Sequence, residues 1–256
     1  MTETAEVILE LQNVSRRFRD GTTALRDVSL NFTRGSFTLL LGTNGSGKSV
    51  LLKIIAGLLE PQEGSVFLEG KPLSDHGRSL HQKIGFIFQN PDSQIVGQTV
   101  AEDVAFGPRN LGCTEPQIIE RSEKALEKTG LLHLKDKRPH LLSGGEKRRL
   151  AVAGVEAMEP DIVLLDEPFG NLDYPGAIEL LRILKDLKEG GRTIILVTHD
   201  LMKSAALADR AIVLSKGSVV ENGSLETMRE RLKGFGIKPP PKAFPIEKCS
   251  WLDETA

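Results

Sequence analysis

Three short stretches carry residues suited to phosphate chemistry. Gly42-Thr43-Asn44-Gly45-Ser46-Gly47-Lys48-Ser49 joins three glycines to a lysine and a hydroxyl. Glycines let a backbone curl until successive N–H groups converge on one anion, and a following helix adds the partial positive charge of its N-terminus. Lys48 is then a point charge for β- and γ-phosphates, and Ser49 a hydroxyl for Mg²⁺. Asp166-Glu167 follows four aliphatic residues, Ile162 to Leu165, and is closed by Pro168. Two acids at the C-terminal end of a buried strand sit where ligands bind in open α/β sheets. Side chains alternate along a strand, so Asp166 is expected to face a metal shell and Glu167 a separate water. His199 ends a third apolar run, Thr193 to Val197. A neutral imidazole there suits a phosphate or a water. The other four histidines lie in polar stretches and read as surface residues.

The elements that must position these groups follow from the pattern of apolar residues. Phe37 to Leu41 is a continuously apolar strand and the run from Gly47 to Gly57 is helical, so the glycine loop joins strand to helix, as a P-loop requires. Ile84 to Phe88 is another short strand, stopped by Gln89-Asn90-Pro91. Gln89 by itself is a polar strand cap or a group reaching a metal or a water. Val7 to Leu11 and Ala24 to Phe32 alternate as strands around an Asp20-Gly21 turn. Phe18, just before that turn, is a core residue or a flat ring for a base to stack on.

Residues 95–158 have a different texture, with no continuous apolar strand, and read as a helical insert on the α/β core. Thr114-x-x-Gln117 and Ser143-x-x-Glu146 are capping boxes that open two of its helices. Ser143, Gly144 and Gly145 also leave a helix N-terminus able to bind an anion. The run Lys147-Arg148-Arg149 reads as a solvated face. Ala211 to Leu214 and Val219-Val220 form closing strands around Lys216-Gly217. From Lys233 the pattern dissolves into glycines and prolines, a tail or linker with Trp251 near its end.

Bulk composition narrows the function. The 256 residues can bury a full core, and a net charge of -2 gives no basic footprint for nucleic acid. Two distant cysteines, Cys113 and Cys249, read as free thiols of a reducing compartment. The acidic start, Met-Thr-Glu-Thr-Ala-Glu, shows no signal peptide, and no apolar run approaches a membrane span.

Taken together and in order, Gly42 to Ser49, Gln89, Leu142 to Glu146, Leu164 to Glu167, Asn171 to Asp173 and His199 resemble the Walker A loop, Q-loop, signature, Walker B strand, D-loop and switch histidine of the ATP-binding-cassette ATPases. The resemblance covers about Val7 to Leu232. It implies an α/β P-loop NTPase core with a mixed sheet, an N-terminal antiparallel β subdomain and an inserted helical subdomain. The ATPase domain would span 1–232 and the tail 233–256. Gln89 to Gln94 and the Val100 to Pro108 run are similar, more narrowly, to the energy-coupling-factor and cobalt/nickel importer type.

The resemblance further implies that Gly42, Thr43, Asn44, Gly45, Ser46, Gly47, Lys48, Ser49 and Val50 hold ATP and that Phe18 stacks on its base. Ser49 and Gln89 would ligate Mg²⁺, with Asp166 acting through water. Glu167 would polarise the attacking water beside His199 and Gln89. Ser143, Gly144, Gly145 and Glu146 would complete the site of a second ATPase chain, identical or paralogous, with Asp173 at the contact. The pair would power a transmembrane coupling subunit and a substrate-binding membrane subunit from the cytoplasmic face, without nucleic acid.

Three departures stand out: Glu146 where glutamine is commonest, Phe18 where tyrosine is usual, and Phe169-Gly170-Asn171 before the D-loop. A cytosolic cassette acting in chromosome maintenance or translation is the competing reading. Against it stand the absence of sustained heptads between Val50 and Leu141 and the single P-loop. A nucleotide kinase leaves Leu142 to Glu146 unexplained.

Overall fold

The computed structural model describes residues 6–242 and 245–252. The acidic start, residues 1–5, and the stretches 243–244 and 253–256 of the sequence-read tail lie outside the described residues. Two sheets form the body. The first has the order β2-β1-β4-β5 and is antiparallel, from β1 (Val7–Arg17), β2 (Thr23–Thr33), β4 (Glu63–Leu68) and β5 (Lys71–Pro72). The second has the order β10-β9-β3-β8-β7-β6, from β3 (Phe37–Leu41), β6 (Ile84–Ile87), β7 (Ile162–Asp166), β8 (Thr193–Val197), β9 (Arg210–Ser215) and β10 (Ser218–Gly223). Its strands are parallel except β10, which returns antiparallel to β9 through a turn with Lys216 and Gly217 both at positive φ.

β1 and β2 run further than the alternation of the sequence suggests. The reason is local: the β1–β2 register shifts between Leu11 and Val14, and Asn13 and Asp27 sit at φ 53° and 48°. An irregularity of that kind breaks the period of two on which a sequence reading depends.

Every residue of β3, β7 and β8 is buried, because both faces of the parallel sheet are covered. On one face lies α1 (Lys48–Ile55), with Leu51, Leu52, Ile54 and Ile55 packed toward the antiparallel sheet. On the other lies α6 (Tyr174–Glu189), through Leu180, Leu181 and Leu184.

Between β6 and β7 the chain forms α3 (Val100–Asn110), α4 (Glu115–Lys128) and α5 (Gly144–Glu156) around a separate core of Val100, Val104, Leu126, Leu131 and Leu150. Both expected capping boxes are present, at Thr114–Gln117 and Ser143–Glu146. Short helices complete the chain: α2 (Leu80–Lys83) before β6, α7 (Leu201–Ser204) after β8, and α8 (Leu225–Met228) after β10.

Long-range packing departs from the sequence reading in three places. Lys147-Arg148-Arg149 is not a solvated face: Arg148 is buried and donates from Nη1 to the Phe88 carbonyl at 2.8 Å. Its neighbours pair with acids, Lys147 with Asp92 at 2.7 Å and Arg149 with Glu179. The stretch after Lys233, read as a tail or linker, packs back on the core. Ile237, Ile246 and Cys249 are buried in the α6-side core, Ser250 bridges Ser204, and Arg229 Nε donates to the Pro240 carbonyl at 3.1 Å. Prolines and glycines leave it only two short 3-10 turns and one isolated bridge among the described residues, yet its spaced apolar side chains still bury. Among the histidines, His76 is half-buried, with Nε2 3.0 Å from the Leu68 carbonyl, and so departs from the surface reading.

Candidate functional site

Strand register assembles the site. Leu40 pairs with Val197 on one side and Ile212 on the other, and Asp166 pairs with Val197. The C-terminal ends of β3, β7 and β8 therefore lie level, and the residues that follow them emerge side by side. A cavity of about 890 Å³ opens there, lined by Gly42 to Gly45, Gly47 to Val50, Gln89, Asp166, Glu167 and His199, with Phe18 at its rim.

The glycine loop has two positions that only glycine can fill. Gly42 and Gly47 sit at φ 145° and 106°. A Cβ on Gly42 would run into the Leu214 carbonyl, and one on Gly47 into the Ala24 carbonyl. Gly47 is also the N-cap of α1 and supplies no side chain to cover the first N–H groups, so these donors are left for a ligand. Ser46 is buried beneath the loop and does not line the cavity.

Lys48 is only 7% exposed and folds back, its Nζ donating to the Gly42 and Thr43 carbonyls at 2.8 and 3.0 Å. Burial pulls its ammonium below lysine's ordinary pKa, while Glu167 and Asp166 pull the other way.

The two acids do not alternate as the strand pattern suggests. β7 ends at Asp166, and Glu167 turns into the left-handed region at φ 48°, its N–H bonded to the Val197 carbonyl at 3.0 Å. Both acids consequently line the same cavity. A non-glycine residue held in that region is strained backbone of the kind that clusters at active sites. Glu167 Oε2 lies 2.8 Å from His199 Nδ1. An ionised carboxylate only accepts, so Nδ1 carries the hydrogen in this pair and Nε2 of the exposed ring is left toward solvent. Asp166 is buried with Oδ1 lacking any partner. A buried acceptor of that sort is costly unless a ligand or water satisfies it.

Phe18 is 37% exposed, with the Arg16 guanidinium 5.4 Å from its centroid, so one flat face with a cation beside it borders the cavity. Ser143, Gly144, Gly145, Glu146 and Asp173 stand apart from this cavity. Ser143 N donates to Glu146 Oε2 at 2.6 Å, and Glu146 N to Ser143 Oγ at 3.2 Å. Asp173 caps α6, accepting from Gly176 N at 3.0 Å.

The family model for ABC transporters matches residues 25–170, which include both the glycine loop and the Asp166–Glu167 strand. A putative ABC transporter ATP-binding protein of Methanothermobacter thermautotrophicus is 43% identical over 247 residues, covering 94% of this chain and 88% of the relative. The chain belongs to the ABC transporter family. It is an ATPase of that family, built on the P-loop cassette fold. An energy-coupling factor transporter ATP-binding protein of Carboxydothermus hydrogenoformans is 42% identical over 235 residues, 91% of this chain and 87% of the relative. Among solved structures, cbiO1 of Clostridium perfringens, part of the ABC transporter complex cbiONQ, superposes with TM-score 0.78 at 36% identity, over 90% of this chain and 98% of that one. A dimeric ATP-binding cassette in a post-hydrolysis state with ADP and Pi superposes with TM-score 0.76 at 31% identity, over 85% of this chain and 98% of that one.

Sequence reasoning missed one part of this ABC ATPase's site, the C-terminal segment. Gly236 and Ile237 line the cavity from the C-terminal segment, and Gly236, at φ 71°, sits so close to Thr43 that a Cβ on it would lie 2.9 Å from the Thr43 methyl. The signal was an isolated glycine in an apparently patternless stretch. Outside the cavity, the burial of Arg148 went unread because it depends on how α5 docks beside β6, which no local pattern states. Among the described residues no helix is long and apolar enough to cross a membrane.

Proposed function

We propose that this chain is the ATP-hydrolysing subunit of an importer of the energy-coupling-factor type, serving vitamin or cobalt/nickel uptake. It would act as a nucleotide-sandwich dimer on a transmembrane partner at the cytoplasmic face of the membrane. The observation that carries the reading is the split between the cavity and the signature segment. Phosphate loop, acids and histidine converge in one place, whereas Ser143 to Glu146 opens a helix elsewhere on the surface. A second ATPase chain, identical or paralogous, would bring its own Ser143 and Gly145 to the γ-phosphate, with Asp173 near the contact. The names of the energy-coupling-factor relatives support the importer class.

Within the site, the N–H groups of Gly45 to Ser49 would bind the β- and γ-phosphates. Lys48 would exchange its two carbonyl partners for phosphate oxygens, an anion compensating the burial of its charge. Phe18 would stack on the adenine. Ser49 and Gln89 offer oxygens to Mg²⁺, and Asp166 would act through water; the unpartnered, buried Oδ1 of Asp166 fits a hard cation. Bound Mg²⁺ would neutralise charge developing on the phosphate oxygens. Glu167 would take up the attacking water's proton, held in place by His199 Nδ1–H, and His199 Nε2 would face the γ-phosphate.

The membrane partner would dock in a groove of about 750 Å³ between α3, α5 and β6. Phe106 and Val96 are exposed along it, and Asp103 Oδ1 fixes its lip by accepting from Val96 and Gly97 N–H groups at 2.7 and 2.8 Å. Purification of the native complex from detergent-solubilised membranes tests the reading. A hydrophobic multi-span chain and a bound small molecule should accompany the ATPase. Recovery of the chain wholly apart from membranes, with no such partner, would contradict it.

A further inference from the structure

Trp251 is the chain's one tryptophan, and the mechanism above makes no use of it. Its ring centroid lies 5.1 Å from that of Tyr174, the first residue of α6 after Asp173. Lys203 Nζ sits 4.8 Å from the Trp251 centroid and 5.8 Å from that of Phe169, and 3.3 Å from Asp200 Oδ2. The Lys203 side chain is only 13% exposed.

One nearly buried ammonium thus touches three segments: Phe169, two residues beyond Glu167; Asp200, the neighbour of His199; and the C-terminal Trp251. The backbone of the last segment is fastened at the same place. Ser250 bridges Ser204, and Ala206 N donates to the Cys249 carbonyl at 3.1 Å. A plain C-terminal anchor needs apolar contacts alone. Here the contact runs through a cation whose other partners adjoin the Glu167–His199 pair, itself joined at 2.8 Å.

We propose that Trp251, acting through Lys203, is a positioning residue for hydrolysis: the C-terminal segment holds the Glu167 and His199 loops in register. The proposal rests on the reading that Glu167 and His199 carry hydrolysis. A ring face over the ammonium fixes where Lys203 points, and so where Asp200 and Phe169 lie. Loss of that face lets the loops drift without touching the phosphate cradle.

Steady-state ATPase kinetics on the full-length chain test it. W251L and K203M should each lower kcat by about tenfold while KM for ATP changes less than about twofold, as expected when reacting groups are misplaced and binding is not. The double variant should be no slower than the worse single one, because both remove the same contact. W251F, which keeps a ring face, should recover most of the rate. In the unaltered chain, the emission of this one tryptophan should shift on ATP saturation, a readout that survives if a variant fails to fold. E167Q is assayed alongside. An E167Q variant at full rate overturns the hydrolytic reading. An inactive E167Q with W251L and K203M at full rate overturns the present inference, as does tryptophan emission unmoved by bound ATP.

Discussion

Two helix N-termini in this molecule begin with glycine and serine, and they are finished in opposite ways. α1 starts from Gly47 with no side-chain cap, over a cavity that also holds Lys48, Asp166 and Glu167. α5 starts from Ser143 inside a reciprocal capping box and lies outside that cavity. Uncovered N–H groups above a cavity form an anion site that the chain completes by itself. A capped helix start at the surface satisfies its own donors, and in the proposed dimer it would meet a ligand carried by the other chain. The contrast gives the two segments different duties, and each can be broken separately.

The largest effect belongs to the complete side. E167Q should retain nucleotide binding and lower turnover by about 10²- to 10⁴-fold, the range for losing a positioned base; multiple-turnover phosphate release measures it. K48A should come next, weakening ATP binding by about 10- to 100-fold through loss of charge-assisted bonds, as calorimetric titration reads. Wild-type affinity would remove the phosphate role from Lys48.

S143A acts on the other side and sharpens the comparison. It should leave ATP affinity of the isolated chain unchanged, slow hydrolysis, and cost about 1 kcal/mol of stability through the lost cap. An affinity loss matching that of K48A would erase the distinction between the two helix starts.

The smallest effect is in the pH dependence of the same cap. The Ser143 N–H bond holds the Glu146 carboxyl below its ordinary 4.5. A depressed folded value means stabilisation present above 4.5 and lost as pH falls through the folded value. The thermal midpoint of the unaltered chain, relative to E146Q, should therefore shrink on going from about pH 6 to about pH 4, by no more than about 2 °C.

The same contrast explains what the sequence revealed. The P-loop, the Walker B strand and the capping box at Ser143 are each written within eight or so consecutive residues, where local geometry follows from residue type. The three buried parallel strands were legible because Phe37 to Leu41, Ile162 to Leu165 and Thr193 to Val197 are almost wholly apolar runs, whereas the mixed sheet was what the family resemblance implied. Alternation misled at Glu167, where a left-handed residue turns the second acid into the cavity of the first. Arg148 under Phe88, Gly236 against Thr43 and Trp251 over Lys203 are long-range contacts, and neither period nor propensity encodes them. The solvated-face reading of Lys147 to Arg149 failed for that reason.

The most direct test of a site shared between chains is the mass of purified E167Q by light scattering, with and without ATP and Mg²⁺. The account predicts a monomer that becomes a dimer when ATP is added, and a return to monomer when S143A is introduced into the same chain. An E167Q protein that binds ATP fully yet keeps its monomer mass at every concentration would contradict it.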